Sequence, residues 1–168
     1  MQTTLRLQSL PFNQLRTYFM AALFVAGNIL LPRIFHLLPL GGPTWLPIYF
    51  FTLIGAYLYG WRVGLLTALA SPVINSVLFG MPAVAVLPAI LIKSVLLASA
   101  AGFVAHRFGK ASIGLLSLVV LSYQAIGTLG EWALSGDLSV ACQDFRIGIP
   151  GMLLQIIGGW IIINSQKR

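Results

Sequence analysis

The sequence predicts an all-α membrane protein, a compact bundle of six transmembrane helices with both termini in the cytoplasm. Of its 168 residues, 58% are hydrophobic and only 8% are charged, whereas soluble domains are about 45–50% apolar and about 25% charged. Several charge-free stretches reach the roughly 20 residues that a helix needs to cross a bilayer. Ten Lys and Arg against three Asp and Glu are too sparse for a phosphate-binding stripe and are better explained as topology signals. These observations exclude a soluble protein and a nucleic-acid-binding protein.

Proline, glycine and aromatic residues bound the first three predicted helices. The first covers residues 15–35 and carries Pro32 and Arg33 near its end. The second covers residues 45–60, and its aromatic ends suit the two membrane interfaces. The third covers residues 61–79 and ends before Gly80-Met81-Pro82, because glycine adopts positive φ and proline lacks a backbone donor.

Charged residues separate the last three predicted helices. The fourth covers residues 83–105 and holds one charge, Lys93, well inside its length. The fifth covers residues 112–130, between Lys110 and Glu131, and the sixth covers residues 147–165, after Arg146. Six helices of about 20 residues consume most of the chain. We therefore expect a single integral membrane domain over residues 1–168.

The charged residues orient this bundle. With six crossings, the side of the two termini receives seven basic residues: Arg6, Arg16, Arg62, Arg107, Lys110, Lys167 and Arg168. The opposite side receives two basic residues and all three acidic ones: Arg33, Arg146, Glu131, Asp137 and Asp144. Because basic residues collect in cytoplasmic loops, both termini are expected inside the cell.

Lys93 marks the expected functional site. An ionisable residue at mid-bilayer costs about 2.5–3.5 kcal/mol on insertion, so it should face the bundle interior with a ligand or a partner. Counted from a helix start at residue 83, it lies roughly 15 Å below the outer surface. Side chains expected at similar depth or near the mouth complete a candidate substrate pocket: Asn75, Tyr123, Gln124, Gln155, Glu131, Trp132, His36 and Trp45. Lys93 itself suggests a carboxylate or phosphate on the ligand.

Structural roles compete with ligand binding for most of these residues. Asn75 and Gln155 are equally suited to hydrogen bonds between helices. Trp45, Tyr49 and Trp132 are typical interface anchors, and His36 is typical of a solvated loop. Lys93 can form a buried ion pair with Glu131, although the difference in their expected depths would strain a direct contact.

The chain resembles the membrane-embedded substrate-binding S components of energy-coupling factor (ECF) vitamin transporters. The resemblance rests on Ala22-xxx-Ala26 in the first helix, on residues 40–49 leading into the second, and on Ser71-Pro72, Asn75 and residues 78–82. It implies a substrate-binding subunit in the bacterial inner membrane that captures a vitamin-like micronutrient from outside. It also implies partners, namely a transmembrane coupling subunit docked at Ala22 and Ala26 and two ABC ATPases.

No catalytic, cofactor or metal site is expected. The chain has no phosphate-binding Gly-x-x-x-x-Gly-Lys-Ser/Thr loop, so ATP hydrolysis would belong to the partners. One cysteine, Cys142, cannot form a thiolate metal cluster.

A small secondary transporter or channel remains an alternative, although a single intramembrane charge offers no proton relay. An intramembrane enzyme is a further alternative, but the two histidines fall on opposite sides and the two aspartates in one loop.

Overall fold

The computed structural model describes residues 7–166, and every regular element in this range is helical. Arg6, Lys167 and Arg168, which the charge analysis places on the side of the termini, lie outside the described residues. The helices in chain order are α1 (Leu15–Phe35), α2 (Gly41–Trp45), α3 (Pro47–Tyr59), α4 (Trp61–Phe79), α5 (Leu87–Phe108), α6 (Ile113–Ser135), α7 (Leu138–Ala141), α8 (Gln143–Ile147) and α9 (Ile149–Ser165).

The bundle is apolar on its outer surface and carries polar groups in its interior. Leu15, Phe19 and Val77 are among many large apolar side chains that are more than half exposed. Several polar side chains, including Asn28 and Thr67, are fully buried. This distribution suits a bundle surrounded by lipid, where polar groups must be satisfied internally. Within residues 7–166, four helices are long and apolar enough to cross a membrane: α1, α4, α5 and α6.

The predicted helix limits agree with the structure for α1 and α4 and differ elsewhere. The predicted fourth helix begins at Leu87 instead of residue 83, and the fifth continues to Ser135 instead of residue 130. Pro88 occupies the first turn of α5, where a missing backbone N–H costs nothing. Gly136 ends α6 with a φ of 69°, a left-handed conformation that favours glycine.

The second and sixth predicted helices are shorter and less regular than expected. The segment predicted as one helix over residues 45–60 begins at the last residue of α2, turns at Leu46 with a φ of 47° and continues as α3. A side chain at Gly151 would clash with the Trp45 carbonyl, so this glycine allows α9 to approach the end of α2. The sixth helix begins at Ile149 and contains a π-helical turn over Leu154–Gly158.

The helices divide the charged residues between the two ends of the bundle. One end, which we call the cavity end, holds Arg33, Arg146, Glu131, Asp137 and Asp144, with Lys93 just below it. The other end, the basic end, holds Arg16, Arg62, Arg107 and Lys110. There the hydroxyl of Tyr57 donates to the carbonyl of Lys110 at 2.7 Å, which fixes the α5–α6 turn against α3.

Candidate functional site

A cavity of about 580 Å³ opens at the cavity end of the bundle. Its walls come from the ends of α1, α4 and α6, the first turns of α5, the segment from α2 into α3, and the start of α8. Most of the lining is apolar, and the polar exceptions are few: Arg33, His36, Tyr49, Asn75, Lys93, Glu131, Gln143 and Asp144. A mostly apolar cavity with a few placed polar groups is typical of a small-molecule site.

Lys93 forms a buried cluster with two carboxylates. Its Nζ lies 2.5 Å from Oε2 of Glu131 and 2.8 Å from Oδ2 of Asp144. The Lys93 side chain is 3% exposed, whereas the two carboxylates keep about 15% of their surface accessible along the cavity. One ammonium therefore faces two carboxylates, and the cluster carries a formal charge of −1.

The ion pair between Lys93 and Glu131 forms, and only the strain expected for it is wrong, because the limits of both helices differ from the predicted ones. From Leu87, Lys93 lies six residues into α5, about 9 Å below its start instead of 15 Å. Glu131 lies four residues before the end of α6, about 6 Å below it. The two side chains are thus close in depth and pair directly. Gly127, one turn earlier on α6, leaves room for the Lys93 chain, since a Cβ there would lie 2.5 Å from Lys93 Cγ.

Asp144 reaches the cluster because the chain after α6 folds back over the bundle. The carboxylate of Asp137 caps α7 by accepting from the backbone N–H groups of Ser139 and Val140. Gly148, at the end of α8, fits tightly against the carbonyl of Asp144. The two short helices α7 and α8 thus bring the chain back to α5. Asp144 was not among the predicted pocket residues, because its contact with Lys93 spans 51 residues and follows no local sequence pattern.

The expected grouping of Lys93 with Tyr123, Gln124 and Gln155 is absent from the described cavity. These three side chains are fully buried and form a separate polar cluster. The Tyr123 hydroxyl donates to Oε1 of Gln155 at 2.9 Å, and Nε2 of Gln124 donates to the Tyr123 oxygen at 3.2 Å. Tyr123 lies 12 residues before the end of α6, about 18 Å below it and well under the level of Lys93.

Tyr49 separates this cluster from the cavity. Its ring lines the cavity and packs against Tyr123, with ring centroids 5.5 Å apart. The side chain is only 2% exposed, so the interpretation of Tyr49 as an interface anchor is wrong. Oε1 of Gln124 and Nε2 of Gln155 have no hydrogen-bond partner among residues 7–166, and Gln155 lies on the π-helical turn of α9.

Asn75 and His36 line the cavity, whereas Trp45 and Trp132 do not. The Asn75 amide donates to the carbonyls of Asn28 and Ser71, at 3.0 and 2.9 Å, so it joins helices as well as facing the cavity. His36 is exposed at the mouth. Trp45 is half-buried and stacks on Phe35, and Trp132 projects from the last turns of α6, 46% exposed.

Two residues important to the architecture were not among the predicted site residues. Arg33 lines the cavity mouth with its guanidinium 4.1 Å from the centre of the Phe79 ring, a cation–π contact. Asn28 is fully buried in α1, where its side chain bonds Thr52 and Ser71 and accepts from the Phe51 backbone N–H. An asparagine in an apolar helix is the signal that could have indicated this joint.

Within the described residues, no group of three or more His, Cys, Asp or Glu side chains is placed to hold a metal ion. Ala22 and Ala26 are exposed on the outer face of α1. Comparison with models of protein families, with curated proteins and with solved structures finds no match for this chain.

Proposed function

We propose that this chain is the substrate-binding membrane subunit of an ECF-type ABC importer, which captures a vitamin-like micronutrient from outside the cell. The observation that carries the proposal is the cavity of about 580 Å³ at the end of the bundle away from the basic end. Its volume suits a small molecule, and its apolar walls converge on a few buried polar groups. The role that we propose for this cavity is binding.

The proposed topology has six spans, both termini in the cytoplasm of a bacterial inner membrane, and the cavity open to the outside. Within residues 7–166, Arg16, Arg62, Arg107 and Lys110 gather at the basic end, as positive-inside topology requires. The two short spans are α3, about 20 Å long, and α9, about 26 Å. The start of α3 lines the cavity, where irregular backbone is tolerated because the space is accessible to water, and the start of α9 packs against the α2–α3 junction.

Co-purification tests the binding role. We expect mass spectrometry of the detergent-purified protein to find one small molecule enriched at near-stoichiometric amounts. Ala89 is buried and lines the cavity, so Ala89→Phe should fill the site and abolish the enrichment. Ala125→Phe is the matched control, because Ala125 is exposed on the outer face of α6. Absence of any enriched molecule, or equal enrichment in both variants, contradicts the proposal.

The single cysteine tests the orientation. Cys142 lies between α7 and α8 at the cavity end and is partly exposed. A membrane-impermeant maleimide should therefore label Cys142 in intact spheroplasts. In a Cys142→Ser background, Lys110→Cys at the basic end should react only after permeabilisation. The opposite labelling pattern would show that the cavity end faces the cytoplasm and would contradict the proposed orientation.

Docking of the energising partners is proposed on the outer face of α1. Ala22 and Ala26 are exposed there with the one-turn spacing that lets another helix approach closely. Tagged protein from native membranes should co-purify with a coupling subunit and ABC ATPases. Leu at both positions should abolish that co-purification and spare the small-molecule enrichment, whereas Ala125→Leu should leave both unchanged. Unchanged co-purification would place the docking face elsewhere.

The Lys93–Glu131–Asp144 cluster favours one second candidate, a small secondary transporter. Three ionisable groups beside a cavity are the kind of site that can exchange protons with a substrate. Reconstitution of the chain alone in proteoliposomes separates the two functions. Substrate uptake driven by a pH gradient, without ATP or any other protein, would establish the second candidate and remove the first.

A further inference from the structure

The charges that line the cavity are unequally available to a ligand. Lys93 already directs its amine at two carboxylates, at 2.5 and 2.8 Å. Arg33 is exposed at the mouth and stacks over the ring of Phe79. The positive charge at depth is thus matched inside the protein, and a ligand anion there would also meet the excess negative charge of the cluster. Among residues 7–166, therefore, no unpaired cation lies at the cavity floor to bind a carboxylate or phosphate of the ligand.

Hydrogen-bond acceptors, by contrast, are left over. Asn75 is 3% exposed and lines the cavity, and both of its described bonds are donated by Nδ2. Among the described residues its Oδ1 accepts no hydrogen bond. Glu131 and Asp144 each accept a hydrogen bond from Lys93 through one carboxylate oxygen, and the other oxygen stays available. An ionised carboxylate can only accept hydrogen bonds. Tyr49, another buried polar residue of the lining, has a hydroxyl that both donates and accepts, so the surplus on Glu131, Asp144 and Asn75 is of acceptors and favours donors from whatever fills the cavity.

We propose that the cavity selects a ligand with a cationic or donor-rich nitrogen group, such as an amine, an amidine or a protonated amino-heterocycle, carried on an apolar or aromatic body. Glu131, Asp144 and Asn75 bind the nitrogen group. The body packs on the apolar wall formed by Leu37, Ile48, Phe79, Met81, Val86 and Ile90. This assignment rests on the proposed binding function and adds the chemical class of its ligand.

A matched pair of probes tests the assignment. Benzamidine and benzoate share one ring and differ in whether the head group donates or accepts. Their binding to the protein in a neutral detergent is measured by equilibrium dialysis at low salt, each in competition with whatever co-purifies. We expect benzamidine to bind about tenfold or more tightly than benzoate, the difference made by one charge-assisted hydrogen bond. Equal binding, tighter binding of benzoate, or no binding of benzamidine overturns the assignment.

Variants locate the preference in the cluster. Asp144→Asn and Glu131→Gln should each weaken benzamidine binding about tenfold. Asp137→Asn removes an acidic charge from the same end, lies outside the cavity lining and keeps the cap of α7, because asparagine caps helices as well as aspartate, so it should leave binding unchanged. If a variant fails to fold, the wild-type preference between the two probes still decides the outcome. A co-purified anionic molecule lost in Ala89→Phe would overturn only the ligand class, whereas no co-purified molecule would overturn the binding function itself.

Discussion

Replacing Lys93 with methionine tests the central cluster most directly. Methionine preserves the length and most of the apolar contacts of the lysine chain but removes the ammonium that two carboxylates share. Glu131 and Asp144 are then left facing each other in a site where only about 15% of each side chain is accessible. Removing one partner of a buried ion pair costs about 3–5 kcal/mol, because the remaining charge is uncompensated.

The geometry favours the lower part of this range. Both carboxylates line the cavity, so water can reach them after the substitution. We therefore expect Lys93→Met to lower the free energy of unfolding by about 3 kcal/mol, more than a hundredfold in the folding equilibrium. Reversible unfolding in mixed micelles with increasing dodecyl sulfate, followed by far-ultraviolet circular dichroism, measures this difference.

Two further variants make the result specific to the cluster. The neutral triple variant Lys93→Met, Glu131→Gln, Asp144→Asn should return to within about 1 kcal/mol of the wild type, since no unpaired charge remains. Arg146→Met removes an exposed cation from the same end, where its described contact is a 3.2 Å bond to Ser139, and should change stability by less than about 0.5 kcal/mol. The reasoning is refuted if Lys93→Met costs no more than Arg146→Met, or if the triple variant is as unstable as the single one.

Two more pairs of substitutions test the packing around the site by the same titration. Gly127→Ala would place a Cβ 2.5 Å from Cγ of Lys93, whose far end is fixed, and should cost about 1–3 kcal/mol. Gly130→Ala meets only ordinary contact at 3.4 Å and should gain about 0.5–1 kcal/mol of helix propensity, so equal stabilities would contradict the clash. Asn28→Ala removes three side-chain hydrogen bonds and should cost about 1–3 kcal/mol. Ser122→Ala breaks only a hydrogen bond within its own helix and should cost under about 0.5 kcal/mol. A similar loss of stability in the Asn28 and Ser122 variants would contradict the role of Asn28 in joining helices.

The sequence predicted the helical class well because that prediction depends on long apolar stretches. The limits of α1 and α4 follow the charges, proline and glycine that bound them. Pro88 in the first turn of α5 and Gly136 after α6 mark two further helix limits in the sequence. Each has a competing signal nearby, since Pro82 could equally mark the start of α5 and Gly130 the end of α6. Choosing between two such signals depends on which turn the rest of the bundle can accommodate.

The site was predicted less completely because its contacts join distant residues at a common depth. Shifting the start of α5 by four residues moves Lys93 by about 6 Å along the helix axis. As a result, Lys93 contacts Glu131 and Asp144 instead of the expected Tyr123 and Gln155. Asp144 moreover arrives from a segment that folds back through two short helices. Neither periodicity nor hydropathy carries information on that fold.

The formal charge of −1 on the cluster connects stability with binding. An uncompensated charge inside a bundle is tolerated where water or a counter-charge reaches it, and Glu131 and Asp144 lie along an open cavity. A cation bound there supplies that counter-charge only in the folded protein. By mass action it must then raise the unfolding free energy, by an amount that grows with the logarithm of the ligand concentration once that exceeds Kd. An anion of the same size is repelled instead. The excess negative charge that destabilises the bundle therefore also discriminates between cationic and anionic ligands.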